Sequence, residues 1–131
     1  MTQVCPAEIC LRVPGERAYA LVIRTMLGGV ALLKDLDMDA MDDLRTAADE
    51  ACDCLLNQGA PVRWLELTVR DGGDALTVSL EAELDEDAAG QAPGDAEMSR
   101  AVLETLIPQV ALGTTGAGRV KRVQLTLPKA V

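Results

Sequence analysis

The sequence predicts an α+β protein built as a two-layer sandwich, with about four strands in a mixed or mostly antiparallel sheet and about three helices on one face. Strand-like and helix-like segments are mixed without the regular alternation of a parallel βαβ protein, which favours this class. The 131 residues include one Trp, one Tyr and no Phe, so the core is expected to be aliphatic. This length fits one domain over residues 1–131.

The first half of the chain is predicted to contain one strand and two helices. Residues 8–13 alternate between polar and apolar side chains and end at a Pro-Gly pair, which is typical of a strand followed by a turn. From Glu16 the apolar residues recur at three- and four-residue steps, so a helix with an inward stripe that includes Val22 and Leu33 is expected. A second helix is expected over 38–57, because acidic N-cap candidates precede it and a Gly-Ala-Pro sequence ends it.

A β-hairpin is the clearest feature of the second half. Residues 62–70 and 75–82 are strand-like, and the two glycines in 71–74 suit the tight turn between them. The stretch that follows, at about 83–95, is rich in Asp and Glu, contains no Lys or Arg, and is broken by Gly and Pro. This composition predicts a mobile acidic loop.

The end of the chain is predicted to form a helix over 96–107, a glycine-rich connector over 113–118 and a last strand over 119–127. A basic patch accompanies this strand and consists of Arg119, Lys121, Arg122 and Lys129. Two roles are open for the patch, because it could meet an acidic partner or neutralise the acidic loop.

Charge and composition exclude several classes of function. The net charge is −9, with 21 acidic and 12 basic residues, so binding to the phosphate backbone of nucleic acid is not expected. The absence of His removes the usual general base and zinc ligand. No apolar stretch has the length of a membrane span, and the N-terminus lacks the features of a secretory signal. A cytoplasmic location away from the membrane is therefore expected.

Four cysteines are present, at Cys5, Cys10, Cys52 and Cys54. In the cytoplasm they are expected to stay reduced as small apolar side chains, and their spacing does not match a zinc site, so no metal is expected. The alternative is a thiol-based redox or metal sensor that uses Cys52 and Cys54, although residues two apart on a helix are poorly placed for a disulfide.

A polar cluster lies on the second predicted helix. Glu50, Cys54 and Asn57 are spaced at i, i+4 and i+7, so they share one face of that helix. A carboxylate in this place could act as a general base or hold a hydrated Mg²⁺ ion. The alternative is an ordinary solvated helix edge.

Several sequence features occur together in residues 9–57, in a fixed order and spacing: Val13-Pro14, Tyr19, residues 23–31, Asp43-Leu44 and residues 49–52. In this order they resemble the N-terminal half of the anti-sigma-factor serine kinases, bacterial regulators in the histidine-kinase-like ATPase superfamily. Residues 102–106 also resemble the third helix of that family. The resemblance implies the histidine-kinase-like ATPase fold.

The resemblance also identifies the positions of a nucleotide site. Family members carry a Glu-Ala-x-x-Asn motif in which Glu is the base and Asn holds Mg²⁺, and here Glu50 is kept while Cys54 replaces the Asn. A thiol is a poor ligand for so hard a cation. Asn57, one turn beyond Cys54, could in principle reach into the site in place of the lost Asn.

Two glycine motifs of the family are also altered. Its Asp-x-Gly after the third strand corresponds to 81–83, with Glu81 and Glu83 at the ends, and its Gly-x-Gly before the third helix corresponds to a segment that starts at Glu97. These changes predict weak or lost ATP binding. No cofactor is expected, and ATP with Mg²⁺ would bind only if the site were still competent.

The resemblance implies a regulatory protein that binds a sigma factor or an anti-sigma antagonist protein. Arg24 is the implied partner-binding residue, with a solvated surface arginine as the alternative, and a homodimer is expected because family members commonly pair. The alternative function is an active ATP-dependent serine/threonine protein kinase, with Glu50 as its catalytic base.

Overall fold

The computed structural model describes residues 8–90 and 96–129, which form five strands and three α-helices. In chain order these are β1 Ile9–Pro14, α1 Ala20–Leu33, α2 Met38–Leu56, β2 Val62–Asp71, β3 Ala75–Leu84, α3 Ala96–Leu106, β4 Gln109–Thr114 and β5 Val120–Pro128. Short 3₁₀ turns precede α1 at Arg17–Tyr19 and follow β3 at Glu86–Ala88. None of the helices in the described residues is long and apolar enough to cross a membrane.

The strands form one antiparallel sheet in the order β1-β2-β3-β5-β4. The β2–β3 hairpin turns as predicted at its glycines: Gly73 has a φ of 92°, and its N–H donates to the Asp71 carboxylate at 2.9 Å. The predicted α+β class is confirmed, and the sheet is antiparallel throughout.

Helices cover one face of the sheet and leave the other open. Ile23 of α1, Ala48 of α2, Val78 of β3 and Val123 of β5 line one small internal void, so both helices pack on the same face. Leu103 of α3 is fully buried and joins the same core. The buried side chains of this core are aliphatic apart from the Cys52 thiol, as the composition predicts.

The open face of the sheet is polar. The strand register places Arg12, Glu66, Glu81 and Arg122 in one row across four strands. Arg12 forms an ion pair with Glu66 at 3.0 Å, and its guanidinium lies 4.3 Å from the ring centre of Trp64. This face thus carries charged and polar side chains together with the Trp64 ring.

The structure corrects two predicted boundaries. The described residues contain five strands, because the segment after Pro108 forms β4, which takes in the first two residues of the predicted connector over 113–118. β4 is short and ends in Gly-Thr, so its strand pattern is weak in sequence. β3 runs to Leu84 instead of Ala82, and the acidic segment therefore begins at Asp85.

The first part of the acidic segment is held against neighbouring loops. Glu86 forms an ion pair with Arg119 at 2.9 Å, and the N–H of Gly90 donates to the carbonyl of Gly59. Of the two roles predicted for the basic patch, Arg119 therefore has the second, neutralisation of acidic residues. Residues 91–95 of the predicted loop lie outside the described residues.

Candidate functional site

A cleft of about 200 Å³ lies between α2 and α3. It is lined by Glu50, Asp53, Cys54, Asn57, Gln58, Ala96 and Ser99. The helical spacing of Glu50, Cys54 and Asn57 predicted that they share one face, and the structure confirms this. Asp53 forms an ion pair with Arg17, which is not among the lining residues.

Cys54 occupies the α2 side of the cleft, where the family resemblance expects a magnesium ligand. Burial raises the pKa of its thiol, a hydrogen bond with Ser99 of α3 lowers it, and the nearby Glu50 carboxylate raises it again. The net direction is upward, so the thiol stays protonated at neutral pH. A protonated thiol offers no anionic ligand for a metal ion.

Cys52 lies on a different side of α2 and belongs to the core. Burial raises the pKa of its thiol to about 12, with further contributions from Asp49 and Asp53. Because one thiol faces the core and the other faces the cleft, the pair does not form a common redox or metal site. Within the described residues, no three His, Cys, Asp or Glu side chains are grouped to hold a metal ion.

Gln58 forms the floor of the cleft and is buried. Its amide nitrogen donates to the carbonyl of Val120 at 2.7 Å, and its amide oxygen accepts from the N–H of Val120 at 2.6 Å. The side chain therefore pairs with the first residue of β5 much as a neighbouring strand would. In the sequence this residue belonged only to a helix-ending signal, so its role was missed.

Arg119 supports the same floor from the adjacent position. Its side chain is 6% exposed, its Nε donates to the carbonyl of Gln58 at 2.9 Å, and its Nη1 meets Glu86 at 2.9 Å. The second oxygen of Glu86 accepts from the Thr115 hydroxyl. A buried guanidinium needs such partners, because an unpaired charge away from water is costly.

Other predicted site residues lie away from the cleft. Glu81 and Glu83 are exposed within β3, which runs two residues beyond its predicted end, and neither residue lines the cleft. Glu97 is exposed in the first turn of α3, 3.8 Å from Arg100. The residues directly before α3, where the resemblance places the phosphate-closing glycines, are outside the described part of the chain.

Arg24 lies at the edge of α1, and its Nη1 contacts an oxygen of Asp49 at 3.2 Å. Both side chains are partly exposed. The side chain of Arg45 on α2 lies next to Gly28 of α1. Its buried Nε has no hydrogen-bond partner among the described residues. Cations therefore flank α1 on the side facing α2.

The outer surface of α1 is apolar and exposed. We call the α1 outer face the set formed by Leu21, Val22, Thr25, Gly29, Leu32 and Leu33. Leu21, Leu32 and Leu33 are 62%, 69% and 78% exposed. The sequence predicted Val22 and Leu33 to point inward, but both are exposed, because α1 is apolar on nearly every side and only one side fits the core.

Fold and site together define an α+β sandwich with a small acidic cleft beside its second helix and an exposed apolar first helix. No established protein-family profile matches the chain. It is similar to the anti-sigma-F factor RsbW of Mycobacterium tuberculosis, with 35% identity over 75 residues to the protein of strain CDC 1551 / Oshkosh and equally to that of strain ATCC 25618 / H37Rv. The match covers 57% of this chain and 45% of each relative, so the chain spans less than half the length of these curated relatives.

Proposed function

We propose that this chain is an anti-sigma-factor-like regulatory protein that acts by binding a sigma factor. The similarity to a protein named as an anti-sigma-F factor, over more than half of the chain, carries the proposal. The predicted alternative partner, an anti-sigma antagonist, belongs to the same mode of action, since both act through contact between proteins. The cytoplasm is the proposed location.

The α1 outer face is the proposed contact surface. A partner that covers exposed aliphatic side chains such as Leu21, Leu32 and Leu33 removes their apolar surface from water, which favours binding. Arg24 lies beside this surface in a partly exposed ion pair, which is worth little in water. It can therefore exchange Asp49 for an acidic group of the partner at low cost.

The cleft residues do not fit a magnesium nucleotide, and we propose that the chain acts without one. In the space of about 200 Å³, Glu50 is a residue that nucleotide-binding family members keep, and Asp53 is paired with Arg17, so the misfit lies at Cys54. Cys54 supplies a protonated thiol in place of an oxygen ligand.

The altered Asp-x-Gly segment supports the same proposal. The resemblance aligns this motif with residues 81–83, so Glu83 stands in place of the glycine that would let the backbone approach adenine. Glu81 and Glu83 are exposed within β3 and are not among the residues that line the cleft.

Co-purification with a panel of sigma factors from the source organism tests partner binding. The wild-type chain is expected to retain at least one sigma factor, and Leu32→Glu is expected to weaken that binding at least tenfold, because it places a charge on the α1 outer face. Met98→Glu on α3 is the matched control, since Met98 is similarly exposed and lies outside this face. Recovery of no sigma factor by the wild-type chain would contradict the proposal.

Titration calorimetry with ATP and Mg²⁺ tests the nucleotide part. No heat of binding is expected up to about 1 mM ligand, where even a weak site with a binding free energy of about −4 kcal/mol would be half filled. Micromolar binding, or transfer of a labelled phosphoryl group to an antagonist protein, would instead support the kinase alternative with Glu50 as base.

A further inference from the structure

The middle of α1 is a shallow saddle between exposed aliphatic side chains. Residues spaced seven and four apart lie nearly in line along a helix, and α1 has two adjacent outward lines of this kind. In each line a glycine stands between two aliphatic residues: Leu21, Gly28 and Leu32 in one, Val22, Gly29 and Leu33 in the other. We call the gap at the two glycines the saddle. Its aliphatic walls lie about 16 Å apart along the helix axis, eleven residues at about 1.5 Å each.

Packing among the described residues does not require the two glycines of the saddle. A Cβ at Gly29 would meet nothing within 4 Å, and one at Gly28 would make an ordinary contact, 3.8 Å from Cδ of Arg45. Neither glycine has a positive φ. Glycine is, after proline, the least favourable residue inside a helix, so this pair weakens α1 without improving its own packing. The close approach of a backbone from outside would give the glycines a role.

Arg45 on α2 lies at the end of the saddle that faces α2. Its Nε is buried, has no hydrogen-bond partner among the described residues, and would lie 4.0 Å from a Cβ at Gly28. Asp49, one turn further along α2, contacts Arg24 instead, at 3.2 Å. A partner that covers the saddle removes more water from Arg45, and a covered cation is costly unless the partner supplies an acceptor.

We infer that the saddle receives an α-helix of the partner protein, which crosses α1 at Gly28 and Gly29 and places an acidic side chain against Arg45. An α-helix with its side chains is about 10–12 Å wide, so it fits between the aliphatic walls. The distance between two packed helices depends on the side chains at their crossing, and glycine allows the closest approach. This contact rests on the proposed sigma-factor binding and specifies the form and charge of the partner segment.

The acidic side chain makes the contact selective. A carboxylate beside Arg45 accepts a charge-assisted hydrogen bond, and the covered leucines around the saddle keep water away from it. A partner helix without an acceptor at this place would leave the cation covered and unpaired, which penalises the wrong partner. Arg45 is therefore a specificity-determining residue for the bound helix.

Stability and affinity should change in different directions when the saddle is altered. Gly29→Ala improves the helix propensity of α1, so the urea midpoint of unfolding should rise. Its added methyl group keeps the two helices apart, so calorimetric titration with the sigma factor that the wild-type chain recovers should show about fivefold weaker binding.

Arg45→Met tests the charge of the same contact. The variant removes the unpartnered nitrogen and keeps a side chain of similar length, so the urea midpoint should not fall. Affinity for the same sigma factor should fall about tenfold, because the partner's carboxylate loses its cation. A merely structural role of Arg45 would instead lower the urea midpoint.

Two substitutions on α3 are the matched controls. Thr105→Ala removes an exposed hydroxyl that donates to the carbonyl of Val102, and it improves helix propensity away from the saddle. Arg100→Met removes one positive charge from a partly exposed position. Both variants should bind the sigma factor within about twofold of the wild-type affinity.

A double-mutant cycle locates the acidic residue of the partner. Each Asp and Glu in the helices of that sigma factor is replaced by Ala and titrated with the wild-type chain and with Arg45→Met. For one of these residues, the two substitutions together should weaken binding no more than either alone. Additive losses at every acidic position would overturn the pairing with Arg45.

The outcomes distinguish this contact from the proposed function. If Gly29→Ala and Arg45→Met bind the sigma factor as tightly as the wild-type chain, a helix at the saddle is overturned while sigma-factor binding stands. Parallel losses of stability and affinity would also overturn it, because the two residues would then serve the fold. Recovery of no sigma factor by the wild-type chain would overturn both.

Discussion

The α1 outer face and the cleft lie on opposite sides of α2, and they differ in what they can do. The α1 outer face is broad and apolar, and its neighbouring ion pair between Arg24 and Asp49 is partly exposed. The cleft is small and acidic, and Gln58 with Arg119 fixes its floor through buried hydrogen bonds. The surface available for protein contact thus lies apart from the position where the resemblance places a nucleotide.

The largest expected effect is on the floor of the cleft. Arg119→Ala removes a buried cation and leaves Glu86 and the carbonyl of Gln58 without this partner, so we expect a loss of about 2–4 kcal/mol in the free energy of unfolding. Urea denaturation measures this loss. Arg122→Ala, an exposed neighbour in β5, is the control and should change stability by less than about 0.5 kcal/mol. Equal effects of the two variants would contradict the structural role of Arg119.

A smaller effect is expected from the ion pair beside the α1 outer face. Arg24→Ala and Asp49→Ala should each cost less than about 1 kcal/mol in the free energy of unfolding, because both side chains are partly exposed. Sigma-factor affinity should fall about tenfold for Arg24→Ala but little for Asp49→Ala, if Arg24 pairs with the partner in the complex. Equal losses of sigma-factor affinity in the two variants would show that Arg24 is an ordinary surface arginine that does not pair with the partner.

Filling the cleft should have a still smaller effect on stability and on partner binding. Ser99→Leu places an apolar side chain in the space beside Cys54, and the partly exposed site should change the free energy of unfolding by no more than about 0.5 kcal/mol. Sigma-factor recovery should equal that of the wild-type chain. Loss of sigma-factor recovery by this variant would show that the cleft takes part in partner binding. The α1 outer face and the cleft would then not differ in this respect.

Thiol labelling followed by peptide mapping distinguishes the cleft from the core without altering the chain. Cys54 should react slowly, with a rate that still rises above pH 9, because burial raises its pKa and the thiolate is the reactive form. Cys52 should react only after unfolding, since its pKa is about 12 and its side chain lies in the core.

The raised pKa of Cys52 also means that the free energy of unfolding falls as pH rises from about 9 toward 12, because the unfolded state releases the thiol proton first.

Sequence periodicity predicted the helices, the hairpin and the shared face of Glu50, Cys54 and Asn57, because each depends on neighbours within a few residues. It missed β4, whose short apolar pattern ends in a glycine. It also missed the contact of Gln58 with β5, because that pairing joins residues far apart in the chain and leaves no local pattern. The end of β3 was predicted two residues too early, which is the usual uncertainty of such boundaries.

The pairing of the Gln58 amide with Val120 has a consequence for the exchange of backbone hydrogens. Val120 is the first residue of β5, and terminal residues of strands normally fray and exchange their amide hydrogens quickly. Here the N–H is held by a buried side chain at the end of α2, so its hydrogen should exchange as slowly as those in the middle of the sheet. The start of this strand would then open together with the whole domain instead of ahead of it.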